Sequence, residues 1–249
     1  MNIIWYGQSC FQIIANRSKN GQILIVIDPF SEDIGLRVPK LEADILLVTH
    51  KHSDHNNIKA VSGTSSGEGK QTPFLIDGAG EYEIKEVYVQ GISAWHDESG
   101  GKDRGEVTIY IIEIEGLRIC HLGDMGQKEL SDDQLEQIGD VDILMIPVGG
   151  GPTISAKEAV KIISQIEPKI TIPMHYQIPK LTLRRSSGLK AEASKINRAH
   201  KNLCAPVKLD GVDKFLKALG LKSVTPEAKL TIKEKDLSSE EAKIIILKP

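Results

Sequence analysis

A chain of 249 residues with 40% hydrophobic side chains can bury one large core or two small ones, and its 26% charged residues suit a water-facing surface. The formal net charge of −3 excludes a general electrostatic attraction to nucleic acid. No apolar run approaches the roughly 18 residues of a membrane-spanning helix, and Met1 to Tyr6 lacks the basic start and cleavage site of a secretory leader.

In chain order, Asn2 to Tyr6, Cys10 to Ala15 and Gln22 to Asp28 are β-branched runs that predict strands. Asp44 to Thr49 is continuously apolar, as a strand buried on both faces should be. Glu83 to Trp95 and Val107 to Glu115 predict two longer strands, the second turning at Glu115-Gly116 into Leu117 to Leu122. Short helices are expected at Asp132 to Ile138 and Val212 to Leu219. Between them, Ser155 and Glu158 have capping-box spacing; Ala159, Ile162, Ile163 and Ile166 then form one apolar face that stops before Pro168. Residues 43–48 (ADILLV) also echo residues 141–146 (VDILMI). Convergence of two buried strands explains the echo as well as two related β-rich halves do. Cys10, Cys120 and Cys204 are widely spaced with no CxxC pair, which predicts a reducing cytoplasm and no disulfide framework.

The chemistry concentrates in Thr49-His50-Lys51-His52-Ser53-Asp54-His55. With 7 His in the chain, H-x-H-x-D-H would arise by chance on the order of once in several thousand such chains. His50 and His52 are two apart just past a strand, so extended backbone would point both imidazoles to one side. Asp54 and His55 fall where a helix is expected to begin and can face a second point nearby. Imidazole with carboxylate suits zinc, with iron or manganese as alternatives. Four residues cannot close two metal sites. His96, Asp124 and His175 each lie where a strand gives way to a loop, as ligands on a rigid scaffold should. His121 is read as a core or ligand-supporting residue.

The chain resembles the metallo-β-lactamase superfamily, and within it the zinc-dependent hydrolases related to L-ascorbate phosphate lactonase. The resemblance runs through Gly7-Gln8-Ser9-Cys10, Asp28-Pro29, the histidine motif, Gly80-Glu81-Tyr82, Trp95-His96-Asp97, Cys120 to Asp124 and Ile172 to Tyr176. It implies an α/β fold, a four-layer αββα sandwich of two mixed sheets with helices on the outer faces, as one domain over 1–249. It also implies two divalent ions: one on His50, His52 and His96, the other on Asp54, His55 and His175, with Asp124 bridging and Asp28 orienting the ligand loop. The chain departs from the family at Gln8 and Gln127, where His is common, and at Val107, where Asn is common. None of these is an implied ligand, but a proton-moving histidine is missing at both glutamines.

A water shared between two such ions would attack a small, anionic phosphorylated, ester or lactone substrate. Asp54 and Asp124 are the expected catalytic carboxylates, with Asp124, His121 and Tyr176 as candidate proton donors in that order. Residues 180–204 form an expected insertion carrying seven cations, Arg184 and Arg185 among them, against the single acid Glu192. Leu189, Ala193, Ile196, Ala199 and Leu203 recur there at helical spacing. Lys102, Arg104, Arg184 and Arg185 are candidate substrate contacts, against the plainer reading of solvated loops. Gly149-Gly150-Gly151 before the Ser155 cap reads as an anion cradle or, with better odds, a simple strand-to-helix turn. The basic insertion favours nucleic-acid phosphodiester cleavage as the competing activity, and the three departures favour a non-catalytic metal-binding protein. A homo-oligomer is compatible with the sequence.

Overall fold

The computed structural model describes residues 1–18, 21–64, 72–178, 208–237 and 241–249. The strands are β1 (Asn2–Gly7), β2 (Cys10–Asn16), β3 (Gln22–Ile27), β4 (Leu41–Ala43), β5 (Ile45–Leu47), β6 (Val61–Gly63), β7 (Phe74–Ile76), β8 (Gly80–Ile84), β9 (Val87–Trp95), β10 (Glu106–Ile114) and β11 (Leu117–His121). Helix α1 (Asp132–Ile138), β12 (Ile143–Pro147), α2 (Ala156–Ile166), β13 (Ile170–Met174), α3 (Val212–Ala218), β14 (Leu230–Thr231) and β15 (Lys243–Ile244) follow. The basic insertion at 180–204, with Arg184, Arg185 and the expected amphipathic helix, lies outside the described residues. No helix among the described residues is long and apolar enough to cross a membrane.

Two mixed sheets run β14-β1-β2-β3-β5-β7 and β15-β13-β12-β11-β10-β9-β8. Strand alternation decides which side chains lie between them. Phe11, Ile13, Ile25, Ile27, Ile45 and Leu47 share one apolar core with Val89, Tyr110, Ile112, Ile119 and Ile143 of the other sheet. Cys10, Val26 and Leu46 point the opposite way, into a second cluster with Phe30, Leu41 and Val61. Among the described residues the cover of that outer face is the β4–β6 ribbon, two single 3-10 turns at Glu32–Ile34 and Ile58–Ala60, and the side chain of Leu36. The three α-helices among the described residues add apolar side chains to the main core, with α2 packed on α3 and touching α1. α1 and α2 both start on full capping boxes, Ser131 with Gln134 and Ser155 with Glu158.

The expected strand Glu83 to Trp95 is in fact a hairpin. Lys85 and Glu86 both have positive φ, 52° and 70°, and turn β8 into β9. This is the backbone of a primed turn, which ordinarily announces itself as Asn-Gly, and Lys-Glu carries no such signature. Glu115-Gly116 has the same geometry and does carry the glycine.

The echo between 43–48 and 141–146 extends to individual hydrogen bonds. Asp44 donates its N–H to the Leu24 carbonyl and accepts the Leu24 N–H on Oδ2; Asp142 does both with Arg118. Each carboxylate also meets a lysine, Lys85 at 2.6 Å and Lys169 at 2.7 Å. β5 lies parallel between β3 and β7, as β12 does between β11 and β13. Related halves account for this; convergence of two short apolar strands would not reproduce the aspartate contacts.

Candidate metal centre

The loop after β5 brings the histidine motif to the end of the sandwich where the two sheets are tied together. Thr108 of β10 donates its N–H to the Thr49 carbonyl, and the Tyr110 hydroxyl donates to the carbonyls of Val48 and Ile76. The expected helix at Asp54 does not form. The chain bends sharply instead, with the N–H groups of His55 and Asn56 both on the His52 carbonyl. The His50 and His52 rings nonetheless meet, 4.5 Å between centroids, with His96 at 4.8 and 5.0 Å from them. His96 is delivered by the end of β9, and its N–H is held by the Gly105 carbonyl.

The described residues sort into two groups: His50, His52 and His96, and Asp54, His55, Asp124 and His175. In each group the ligand atoms lie within 4.8 Å of one another. His55 Nε2 and His175 Nε2 are each 3.1 Å from Asp124 Oδ2 but lack hydrogen-bond geometry to it. These two nitrogens, with His96 Nδ1 and His175 Nδ1, are buried and hydrogen-bond to nothing. Burying an imidazole nitrogen with no partner is unfavourable, and unpartnered nitrogens gathered with carboxylate oxygens are what a cation would satisfy. The donor set, nitrogens with carboxylate oxygens, fits a divalent ion such as zinc.

The two groups differ in charge. Burial first, then the neighbouring positive charge of His55, pushes His50 down to about 2. His96 is pushed to about 4, chiefly by burial, and His52 is lowered for the same reason. These three imidazoles are therefore neutral, the form that binds a metal. In the other group burial opposes ionisation, but opposite charges outweigh it. Asp124 and Asp28 raise His55 well above its ordinary value, while His175 and His55 hold Asp124 well below its own. Asp54 is lowered against burial by His55.

Asp28 supports both groups. It sits at φ 48°, buried, and accepts the Thr49 N–H (2.8 Å), the Thr49 hydroxyl (2.7 Å) and His55 Nδ1–H (2.9 Å). Since the Thr49 hydroxyl proton goes to Asp28, its oxygen accepts from His50 Nδ1 at 3.0 Å, which leaves His50 Nε2 as an acceptor, 3.0 Å from His52 Nδ1. His175 is a second left-handed residue, φ 49°, and its N–H is held by the Gln8 carbonyl. A Cβ on Gly149 would lie 2.2 Å from the His175 carbonyl, so only glycine permits this approach.

Ser9 and Thr49 are the supporting residues that sequence reasoning missed as individuals, although both lie inside motifs it singled out. Ser9 Oγ donates to Asp124 Oδ1 at 3.0 Å. His121 is corrected by the same network: its Nδ1 accepts the Gly123 N–H, so Nε2–H donates to the Ser9 carbonyl. Both nitrogens are used and burial lowers its basicity, so it steadies Ser9 and has no proton to offer. Tyr176 packs against Trp5 at 5.0 Å, and burial raises its phenol. Gln127 is spent on structure: its Oε1 accepts the Trp95 N–H, and its Nε2 donates to Glu129 and Gln134, tying β9 to the cap of α1. Val107 is buried core. The Gly149 to Gly151 segment is a strand-to-helix turn, closed by Gly150 N–H on the Ile154 carbonyl. Lys102 is exposed, whereas the charge of Arg104 is felt at His52 and His96.

The family model described as a beta-lactamase superfamily domain matches residues 2–175. A UPF0173 metal-dependent hydrolase of Thermoplasma acidophilum is 30% identical over 218 residues, 79% of this chain and 92% of that one. One from Thermococcus onnurineus is 28% identical over 197 residues, 71% of this chain and 84% of its own. Among solved structures, a Thermotoga maritima protein assigned as a Zn-dependent hydrolase of the metallo-β-lactamase superfamily superposes with a TM-score of 0.67. It is 28% identical, and the match covers 99% of this chain and 98% of that one. With the two-sheet sandwich and the paired His/Asp groups, these likenesses place the chain in the UPF0173 metal-dependent hydrolase family of the beta-lactamase superfamily.

Proposed function

We propose that this chain is a binuclear zinc hydrolase of small phosphorylated, ester or lactone substrates. The observation that carries the reading is the convergence of seven ligand side chains from separate loops into two adjacent groups with unsatisfied buried nitrogens. His50, His52 and His96 would hold one ion, and Asp54, His55 and His175 the other. Asp124 stands between, since its charge acts on all three histidines of the first group while its Oδ2 lies against His55 and His175. Bound zinc supplies Lewis acidity and activates water at neutral pH. The protein's own residues do the positioning. Asp28 fixes the His55 ring and, through Thr49, the His50 tautomer; Ser9 fixes one oxygen of Asp124 and so aims the other at His55 and His175. Asp54, with a side chain 29% exposed, faces the rim where substrate arrives.

The test is metal stoichiometry. Protein stripped with chelator and reconstituted with zinc should retain two equivalents per chain by plasma mass spectrometry, and His175→Ala should retain about one. Reconstituted wild-type protein with only trace metal would end the proposal.

A further inference from the structure

The segment between His96 and β10 is organised by one carboxylate. Asp97 Oδ1 accepts the N–H groups of Ser99 (2.8 Å) and Gly101 (2.9 Å), and its Oδ2 those of Asp103 (3.1 Å) and Arg104 (2.7 Å). Burial works against the charge on Asp97, but the four backbone donors outweigh it and hold the carboxyl below its ordinary range. Gly105 then closes the loop, its N–H on the Gly101 carbonyl and its own carbonyl on the His96 N–H. Arg104 is thus latched by its own backbone beside the residue that pairs with His96. Its side chain is half-buried and forms no ion pair among the described residues. A half-buried guanidinium whose backbone is tied to the His96 loop and whose charge reaches His52 and His96, with no carboxylate partner among the described residues, is a fork of N–H donors awaiting an anion.

We propose that Arg104 is a specificity-determining residue that takes a phosphoryl oxygen of the substrate, and that Asp97 is the positioning residue that latches it at the rim of the His50, His52 and His96 group. The inference rests on the metal-hydrolase reading and narrows it to phosphorylated substrates. Lys102, exposed on the same loop, adds charge to the approach without a fixed contact.

The probe is inorganic phosphate, titrated calorimetrically into the zinc-reconstituted full chain, with zinc content measured on every sample. Arg104→Ala should weaken phosphate binding about tenfold or more at unchanged zinc, the equivalent of about 1.4 kcal/mol. Arg104→Lys, which keeps the charge and loses the fork, should recover part of it, and Asp97→Asn should weaken binding in the same direction as Arg104→Ala. The gap between wild type and Arg104→Ala should shrink at high salt, a response that a purely structural lesion would not show. Equal phosphate affinity in wild type and Arg104→Ala at full zinc overturns the role of Arg104 alone, as does wild type that holds zinc but binds no phosphate. Wild type that takes up no zinc overturns the hydrolase reading beneath it.

Discussion

The two halves of this chain, β1–β7 and β9–β13, use one plan for different ends. In each, three antiparallel strands lead into two parallel ones, and an aspartate at the head of the central parallel strand is fastened to the strand before it and to a lysine. The loops do not correspond in chemistry. After the central strand the first half carries His50 to His55, while the second carries Gly149 to Gly151. After the preceding strand the first half has Asp28, donating its N–H to Leu47, where the second has Leu122, donating to Met145. The connection between the first two strands is a tight turn in one half and the latched His96–Arg104 loop in the other. The lesson is that the strands supply a rigid, repeated frame, and the function resides in whichever loops have been loaded with donors.

The comparison breaks hardest where the loaded loop is emptied. His52→Ala should lower turnover of p-nitrophenyl phosphodiester or ester substrates by about a thousand-fold or more, because several kcal/mol of charge stabilisation depends on the metal it helps hold. Unchanged turnover in metal-verified protein would show that the loop after β5 is no more functional than its glycine-rich counterpart after β12.

Ser9→Ala asks a smaller question, whether a residue of the tight β1–β2 turn serves the chemistry of the other half. It removes the hydrogen bond to Asp124 Oδ1, and a loss of about 10- to 100-fold in zinc affinity or activity is expected, the usual weight of a residue that orients a ligand. A variant indistinguishable from wild type in a chelator-competition assay would reduce Ser9 to packing.

How far all this could be read beforehand follows from the same division. The frame was legible because buried parallel strands such as β5, β12 and β13 are written as unbroken apolar runs, and α2 carries its capping box in plain view. The two His/Asp groups proposed to hold metal were legible because a rare motif and strand-end histidines are local signals. Two things were not. The β8–β9 hairpin is hidden because Lys85 and Glu86 are not turn formers, and the described cover of the outer face of the first sheet depends on single 3-10 turns too short to show a period. The supporting contacts were out of reach for a related reason: Ser9 meets Asp124 across 115 positions, and whether His121 ligates or merely steadies Ser9 turns on hydrogen bonds to backbone that no spacing encodes.

The finest test returns to the paired aspartates. Asp44→Asn and Asp142→Asn each keep one acceptor but lose the charge that meets Lys85 or Lys169. Because both lysines are largely exposed, each substitution should cost only about 1 kcal/mol, roughly 2–4 °C in Tm for a chain of this size. The two aspartates share no partner, so the double variant should show the sum. For Asp44 the sign with pH can be worked out. Burial opposes its charge, but Lys85, the Leu24 N–H and Thr64 outweigh burial, so its carboxyl is depressed in the folded state. A depressed carboxyl stabilises the fold above its unfolded pKa of about 3.9, and that contribution fades as pH falls through the folded value. The Tm gap between wild type and Asp44→Asn should therefore be full near neutrality and close in acid. A gap that widened on acidification would mean that the Asp44 contacts strain the first half rather than fasten it, and the equivalence of the two halves would then be geometric only.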